Sequence, residues 1–411
     1  VSVAGITRSR RMNDGRPPDP AELLADALAL PPDQRSPFID RTCAGNPALK
    51  AEIESLLASH AAARRFFQTP LVMPPDPMAP PSDAWSGRTI GSWRLLERIA
   101  TGGMGAVYLG ERTDREFEKK VAVKLIRTGL DSEEVLIRFR RERQVLADLE
   151  HPNIGRLLDG GSTPECLPYL VMEFVDGQPL DRYCDDHELG IPARLDLFLT
   201  ACGAVHYAHQ NLVIHRDLKP ANIMVDKAGV VKLLDFGIAK VIGSGESEAD
   251  LTVTTSRRMT PRYASPEQVA GGRVSTATDV YSLGVVLYEL LTGRSPYRSA
   301  TTPFAAEKAV LSDTVTRPSQ AVLSESTTPA VISARRGQSP RKMARDLAGD
   351  LDTIVLRALA RDPVRRYPTV QALAADIRRH RAGLPVQARP DTTVYRLSRF
   401  DECLRDAAEL Q

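Results

Sequence analysis

One change of pattern along the chain limits the folds open to it. From Ile90 the runs "SWRLLERIA", "GAVYLGERT" and "KKVAVKLIR" are short, β-type and divided by turns, and further strand signals follow in "GRLLDGG" and "PYLVMEFV". A charged helix is expected between them, from Ser132 to Leu149. After Leu180 helical patterns dominate, as in "RLDLFLTACGAVHYAHQ" and "STATDVYSLGVVLYELLTG". Strands first and helices afterwards predict an α+β fold of two lobes, β-rich then helical, with a natural cleft between them.

The flanks read differently. Residues 19–68 carry two apolar periodicities, Leu23, Leu24, Ala27 and Leu28, then Leu49, Ile53, Leu56 and Leu57. They predict a small helical extension, with breaks and a short helix in the intervening "LPPDQRSPFIDRTCAG". Such a unit buries only a thin core, so it is expected to dock on a neighbour or a partner. Residues 69–89, including "TPLVMPPDPMAPPSD", form an extended proline-rich linker. The two-lobed domain is placed at 90–383, with its lobes at 90–175 and 176–383, followed by a tail at 384–411. Within it, the Ser/Thr-rich stretch around "SDTVTRPSQAVLSESTTPAVISARRGQSPRKM" reads as loop or insertion.

Composition excludes several classes. The 54 basic and 52 acidic residues of the 411 nearly cancel, which argues against a protein built to hold nucleic acid. The five cysteines are scattered without a C-x-x-C pair and read as reduced thiols. "YSLGVVLYELLTG" is too short to span a bilayer and includes Glu289, so it predicts a buried helix. With no apolar signal core at the N-terminus, the expected location is the cytoplasm.

The chemistry concentrates in three places. Gly102, Gly103 and Gly105 lie between two strand signals, with Ala100 where a G-x-G-x-x-G pattern has its first glycine. Glycines let backbone N–H groups approach phosphate oxygens, yet the loop alone reads equally as a Gly-rich turn. Lys124 in "VAVKLI" has apolar neighbours, so its ammonium needs a partner, and Glu142 on the following helix can supply one. The strongest signal is "HRDLKPANIMV" followed by "VKLLDFGIAK". Phosphoryl transfer needs a carboxylate to orient a hydroxyl, a role that suits Asp217. It also needs hard oxygen donors for Mg²⁺, and Asn222 and Asp235 suit that. Lys219 can neutralise the moving group.

These strings, in this order and with "SPE" after them, resemble a bacterial Hanks-type serine/threonine protein kinase from about Gly91 to Gly383. The resemblance implies ATP and Mg²⁺ as cofactors, with Mn²⁺ as an alternative ion. By position it implies Lys124, paired to Glu142, on the α- and β-phosphates, and Asp217 as the base. Ile99, Ala100, Gly102, Gly103 and Gly105 would lie over the nucleotide. Val107, Ala122 and Met224 would sandwich the adenine, beside a hinge containing Met172, Glu173 and Val175. Asp279 would hold the catalytic loop, and Glu267 would lock to Arg366. The resemblance also implies protein substrates with Ser or Thr acceptors, with Thr260 facing them. A phosphorylated loop residue among Thr252, Thr254, Thr255 and Ser256 would pair with Arg216, and a second copy would serve trans-autophosphorylation. The departures are Ala100, Met259 before Thr260, and "SPE" for "APE". The alternative is a pseudokinase scaffold, against which the intact Lys–Glu–Asp–Asn–Asp set argues. The N-terminal extension resembles one found in a proteobacterial subgroup of these kinases.

Overall fold

Alternation of apolar residues builds the first lobe. In "KVAVKLI", Val121, Val123 and Leu125 are buried on one side, while Ala122 and Lys124 point to the other. The computed structural model describes residues 32–43, 46, 49–50, 85–102, 105–113, 119–126, 143–165, 167–236, 261–297, 302–312, 314–324, 336 and 338–389. Six strands form one antiparallel sheet: β1 (Thr89–Ile90), β2 (Trp93–Gly102), β3 (Gly105–Arg112), β4 (Lys120–Ile126), β5 (Leu157–Ser162) and β6 (Pro168–Glu173). Their order is β1-β2-β3-β4-β6-β5. One face closes a core of Trp85, Ile90, Trp93, Leu95, Tyr108, Val123, Tyr169 and Val171. Trp85 therefore packs with this lobe although it falls in the stretch read as linker, and the compact unit runs from Asp83. The opposite face carries Val107 across from Lys124, and Ala122 across from Met172.

The second lobe is helical. A small sheet of β7 (Gly177–Pro179), β8 (Ile223–Asp226) and β9 (Val231–Leu233) lies at its start. Around it come α2 (Leu180–Asp186), α3 (Ile191–Gln210), α4 (Pro266–Val269) and α5 (Thr276–Thr292). α5 contains "YSLGVVLYELLTG" up to Thr292 and is buried along almost its whole length, as its composition requires. Ser275 caps its start in a capping box, and Gly293 ends it in the left-handed conformation at φ 67°.

The Ser/Thr-rich stretch is more ordered than its pattern suggested. It contributes α6 (Pro303–Ser312), α7 (Pro318–Ala321) and α8 (Pro340–Leu347). Each starts at a proline, and Ser339 caps α8. Val310, Ala321, Met343 and Leu347 enter the main core, so tertiary packing stabilises helices too short to announce themselves by period. α9 (Asp350–Ala358) and α10 (Val370–Arg381) complete the lobe.

Residues 1–82 form a separate unit. Its described part is α1 (Pro32–Thr42), the short helix expected there, with Ile39 and Cys43 buried against Leu49. Among the described residues, no helix is long and apolar enough to cross a membrane.

Candidate active site

A buried carboxylate holds the loop formed by "HRDLKPAN". Asp279 at the start of α5 has no exposed side-chain surface. It accepts hydrogen bonds from the backbone N–H of His215 at 2.8 Å and of Arg216 at 2.9 Å, and from His209 Nε2 of α3 at 2.8 Å. Arg216 takes φ 65°, a left-handed kink that these bonds and the one from Gln268 Nε2 to its carbonyl pin in place. The His215 ring then accepts from the Asp217 N–H at Nδ1 and faces the Leu234 carbonyl, 3.0 Å from Nε2. Both contacts require the neutral tautomer with its proton on Nε2. Burial pushes the His215 pKa below its ordinary value, against the pull of Asp279 and Asp217, so the ring is a fixed strut.

Asp217 emerges from this strut. Its Oδ2 accepts from Lys219 Nζ at 2.8 Å and from Asn222 Nδ2 at 3.2 Å. Asn222, on the 3-10 turn Pro220–Asn222, also donates from Nδ2 to the Asp217 carbonyl at 2.8 Å. Using Nδ2 twice on Asp217 turns the amide oxygen the other way. The next strand is tied in directly: the Leu234 N–H donates to the Asn222 carbonyl at 2.8 Å. Asp235 follows with φ 58°, and Phe236 lies against the His215 ring at 4.6 Å between centroids. Five of the expected residues, Lys124, Asp217, Lys219, Asn222 and Asp235, thus meet through two ion pairs, the Asn222 amide bonds to Asp217 and the Leu234–Asn222 backbone bond.

Lys124 is buried on β4, and its ammonium pairs with the Asp235 carboxylate. The expected partner Glu142 lies outside the described residues, as do Gly103, Thr252, Thr254, Thr255, Ser256, Met259 and Thr260. Val107, Ala122, Met172 and Met224 are all half-buried, the first three on the Lys124 face of the sheet. Glu173 turns its carboxylate away to Lys232 Nζ at 2.8 Å and the Arg156 N–H at 3.2 Å, while Val175 is half-buried beyond it. In the glycine hairpin Gly102 pairs with Gly105, which takes φ 146°. Ala100 pairs with Val107 at the end of a register shift and is not among the described non-glycine residues at positive φ. Ile99 sits where the β2 register shifts and is 44% exposed.

The donors suit Mg²⁺. The Asn222 amide oxygen and the Asp235 carboxylate are hard oxygen ligands, and Mg²⁺ in nucleotide sites takes few protein ligands beside phosphate and water.

Glu267 and Arg366 make the expected lock. Two parallel bonds of 2.8 and 2.7 Å join them, and Arg366 also donates to the Ala277, Ala360 and Arg361 carbonyls. Burial works against the Glu267 charge, but Arg366 outweighs it and holds the carboxyl below the usual glutamate range. Sequence reasoning missed His209, Gln268 and Glu289. Glu289 accepts from Arg262 Nε at 2.8 Å and Tyr263 OH at 2.7 Å. Only its position in an apolar helix could have flagged it.

A family model described as protein kinase domain matches residues 93–376. Serine/threonine-protein kinase PknB of Mycobacterium tuberculosis is 38% identical over 301 residues, which is 72% of this chain and 44% of that protein. Serine/threonine-protein kinase PrkC of Bacillus subtilis is 35% identical over 293 residues, 71% of this chain and 41% of that protein. The chain spans less than half the length of these relatives. The crystal structure of the M. tuberculosis PknI kinase domain superposes with a TM-score of 0.50 at 26% identity, covering 73% of this chain and 99% of that one.

Proposed function

The chain belongs to the protein kinase domain family, and on that premise we propose that it transfers the γ-phosphoryl group of ATP to Ser or Thr hydroxyls of proteins. The observation that carries this reading is the Asp217 carboxylate, oriented by Asn222 and neutralised on one oxygen by Lys219. Asp217 orients the acceptor hydroxyl and takes its proton as the new P–O bond forms. Lys219 offsets negative charge on the transferring group. Lys124 grips the α- and β-phosphates, held there by Glu142. Ile99, Ala100, Gly102, Gly103 and Gly105 cover the phosphates. Val107, Ala122 and Met224 enclose the adenine against the hinge at Met172, Glu173 and Val175. Mg²⁺, held by Asn222 and Asp235, supplies charge neutralisation at the phosphates when bound.

The Lys124–Asp235 pair supports a resting arrangement in which the two groups neutralise each other. With nucleotide bound, Lys124 would turn to phosphate and Asp235 would be released as a metal ligand. Activation follows by phosphorylation of Thr252, Thr254, Thr255 or Ser256 by a second copy, with Arg216 receiving the phosphate. A cytoplasmic setting fits the use of ATP and the free thiols of Cys43, Cys184 and Cys202. The domain limits are those set out above, with 19–68 as the helical extension, except that Trp85 and residues 384–389 pack with the kinase unit. The narrower likeness to a proteobacterial subgroup rests on that extension's sequence alone. The pseudokinase alternative has no altered residue in the set to support it.

Intact-mass measurement before and after phosphatase treatment tests the reading. Protein purified after expression should lose one or more 80 Da increments (about the mass of a phosphoryl group), and Lys124→Ala protein should carry none. Unmodified wild type that also fails to label an added acceptor would overturn the proposal.

A further inference from the structure

Residues 384–389 lie beyond the family match, which ends at 376, yet they are strapped to the helical lobe by several independent bonds. Val386 is buried in the main core. Arg379 Nε donates to the Pro385 carbonyl at 2.6 Å, and Arg357 donates to the Gln387 carbonyl at 3.0 Å. Arg389 reaches the buried Asp350 carboxylate at 3.1 Å.

The centre of this arrangement is Asp376 of α10, which has no exposed surface. Its Oδ1 accepts the Gln387 N–H at 2.7 Å, and its Oδ2 accepts the Ala388 N–H at 2.8 Å and the Tyr367 hydroxyl at 2.9 Å. Three donors on one buried carboxylate satisfy it without a guanidinium on its oxygens. Burial and then the Asp376 charge push the Tyr367 pKa up, so the phenol keeps the proton it donates. Arg357 also stacks on the Tyr367 ring, 4.5 Å from its centroid, so one side chain touches both the strap and the tyrosine. Tyr367 follows Arg366 directly, and Arg366 is the partner of Glu267 and lies 4.9 Å over the Tyr281 ring.

We propose that Asp376 is a positioning residue of the kinase reaction: by clamping residues 384–389 onto Tyr367 it fixes Arg366, and through Arg366 the Glu267 end of the segment that receives the protein substrate. The chain leaving the kinase fold is thereby linked to the substrate side of the site. Force or a partner applied beyond residue 389 would be felt at Glu267. The substrate side enters through the kinase reading above, but the linkage itself is structural and is read without turnover.

The test uses the full chain with two variants. Gln387→Pro removes one N–H donor and leaves Asp376 intact, whereas Asp376→Asn keeps the shape but sets an NH2 donor against at least one of the three donors, breaking that bond and removing the charge from the others. Hydrogen–deuterium exchange is followed over residues 261–270, which contain Glu267, and over 384–389. The inference expects both segments to exchange at least several-fold faster in both variants. In a parallel assay the KM for dephosphorylated casein should rise while the KM for ATP stays within twofold. Faster exchange confined to 384–389, with 261–270 unchanged, would overturn it, as would equal rises in both KM values. Should Asp376→Asn fail to fold, Gln387→Pro alone decides. Absence of turnover in the wild type would count against the kinase reading and leave the exchange result standing.

Discussion

Asp279 shows how much one side chain determines at this site. It is fully buried and accepts from two backbone N–H groups and a histidine. Asp279→Ala leaves those donors unpaired, and about 3–5 kcal/mol of stability should be lost, read as a lower midpoint in urea denaturation. His215 sets a pH limit by the same logic. Its folded pKa is depressed, so the unfolded chain binds the proton more readily, and stability falls as pH drops below about 6.5. The glycine hairpin was read from sequence as a pattern with one member missing, and conformation explains why that matters little. Ala100 pairs with Val107 without a positive φ, whereas Gly105 at φ 146° has a backbone that side chains rarely adopt. In a nucleotide-binding titration, Ala100→Gly should change affinity less than threefold and Gly105→Val should weaken it at least tenfold (about 1.4 kcal/mol). The reverse order would relocate the critical residue of the loop.

At the scale of elements, the lock between α4 and the turn before α10 carries the clearest electrostatic signature. Arg366 is fully buried, so Glu267→Gln strands a guanidinium and should cost about 3–5 kcal/mol at neutral pH. Because the folded pKa of Glu267 is depressed, its contribution is complete above about pH 4.3 and is lost as pH falls through the lower folded value. Glu289 acts with the opposite sign, since burial raises its pKa and acid relieves its charge. The difference in melting temperature between wild type and Glu267→Gln cancels that background, and it should narrow as pH drops below 4.3. A gap that stays constant down to pH 3 would assign the loss to packing. The elements also show where sequence reading ends. β4 and α5 declare themselves, one by strict alternation and the other by a long apolar run capped with Ser275 and Gly293. α6, α7 and α8 do not, because short helices in a Ser/Thr-rich stretch are stabilised by partners distant in sequence. The same holds for Trp85, which sits next to a proline-rich stretch and becomes core only through Trp93 and Tyr169.

Over the whole kinase unit, a sheet supplies Lys124 and a helical lobe supplies Asp217, Asn222 and Asp235. The resting Lys124–Asp235 pair is where the two lobes' chemistry touches. Motif order foretold that meeting, because the strings carry the site residues in sequence. The partner that Lys124 takes was not legible, since a lysine in a strand and carboxylates in several loops leave the pairing to tertiary geometry. The account's central claim concerns Asp217, and the most direct measurement is transfer of label from γ-labelled ATP with Mg²⁺ into casein and into the chain itself. Wild type should incorporate phosphate, and Asp217→Asn, which keeps the Lys219 and Asn222 surroundings, should be slower by about 10²–10⁴-fold with nucleotide binding retained. Equal incorporation by the two proteins would contradict the assignment of Asp217 and the mechanism built on it.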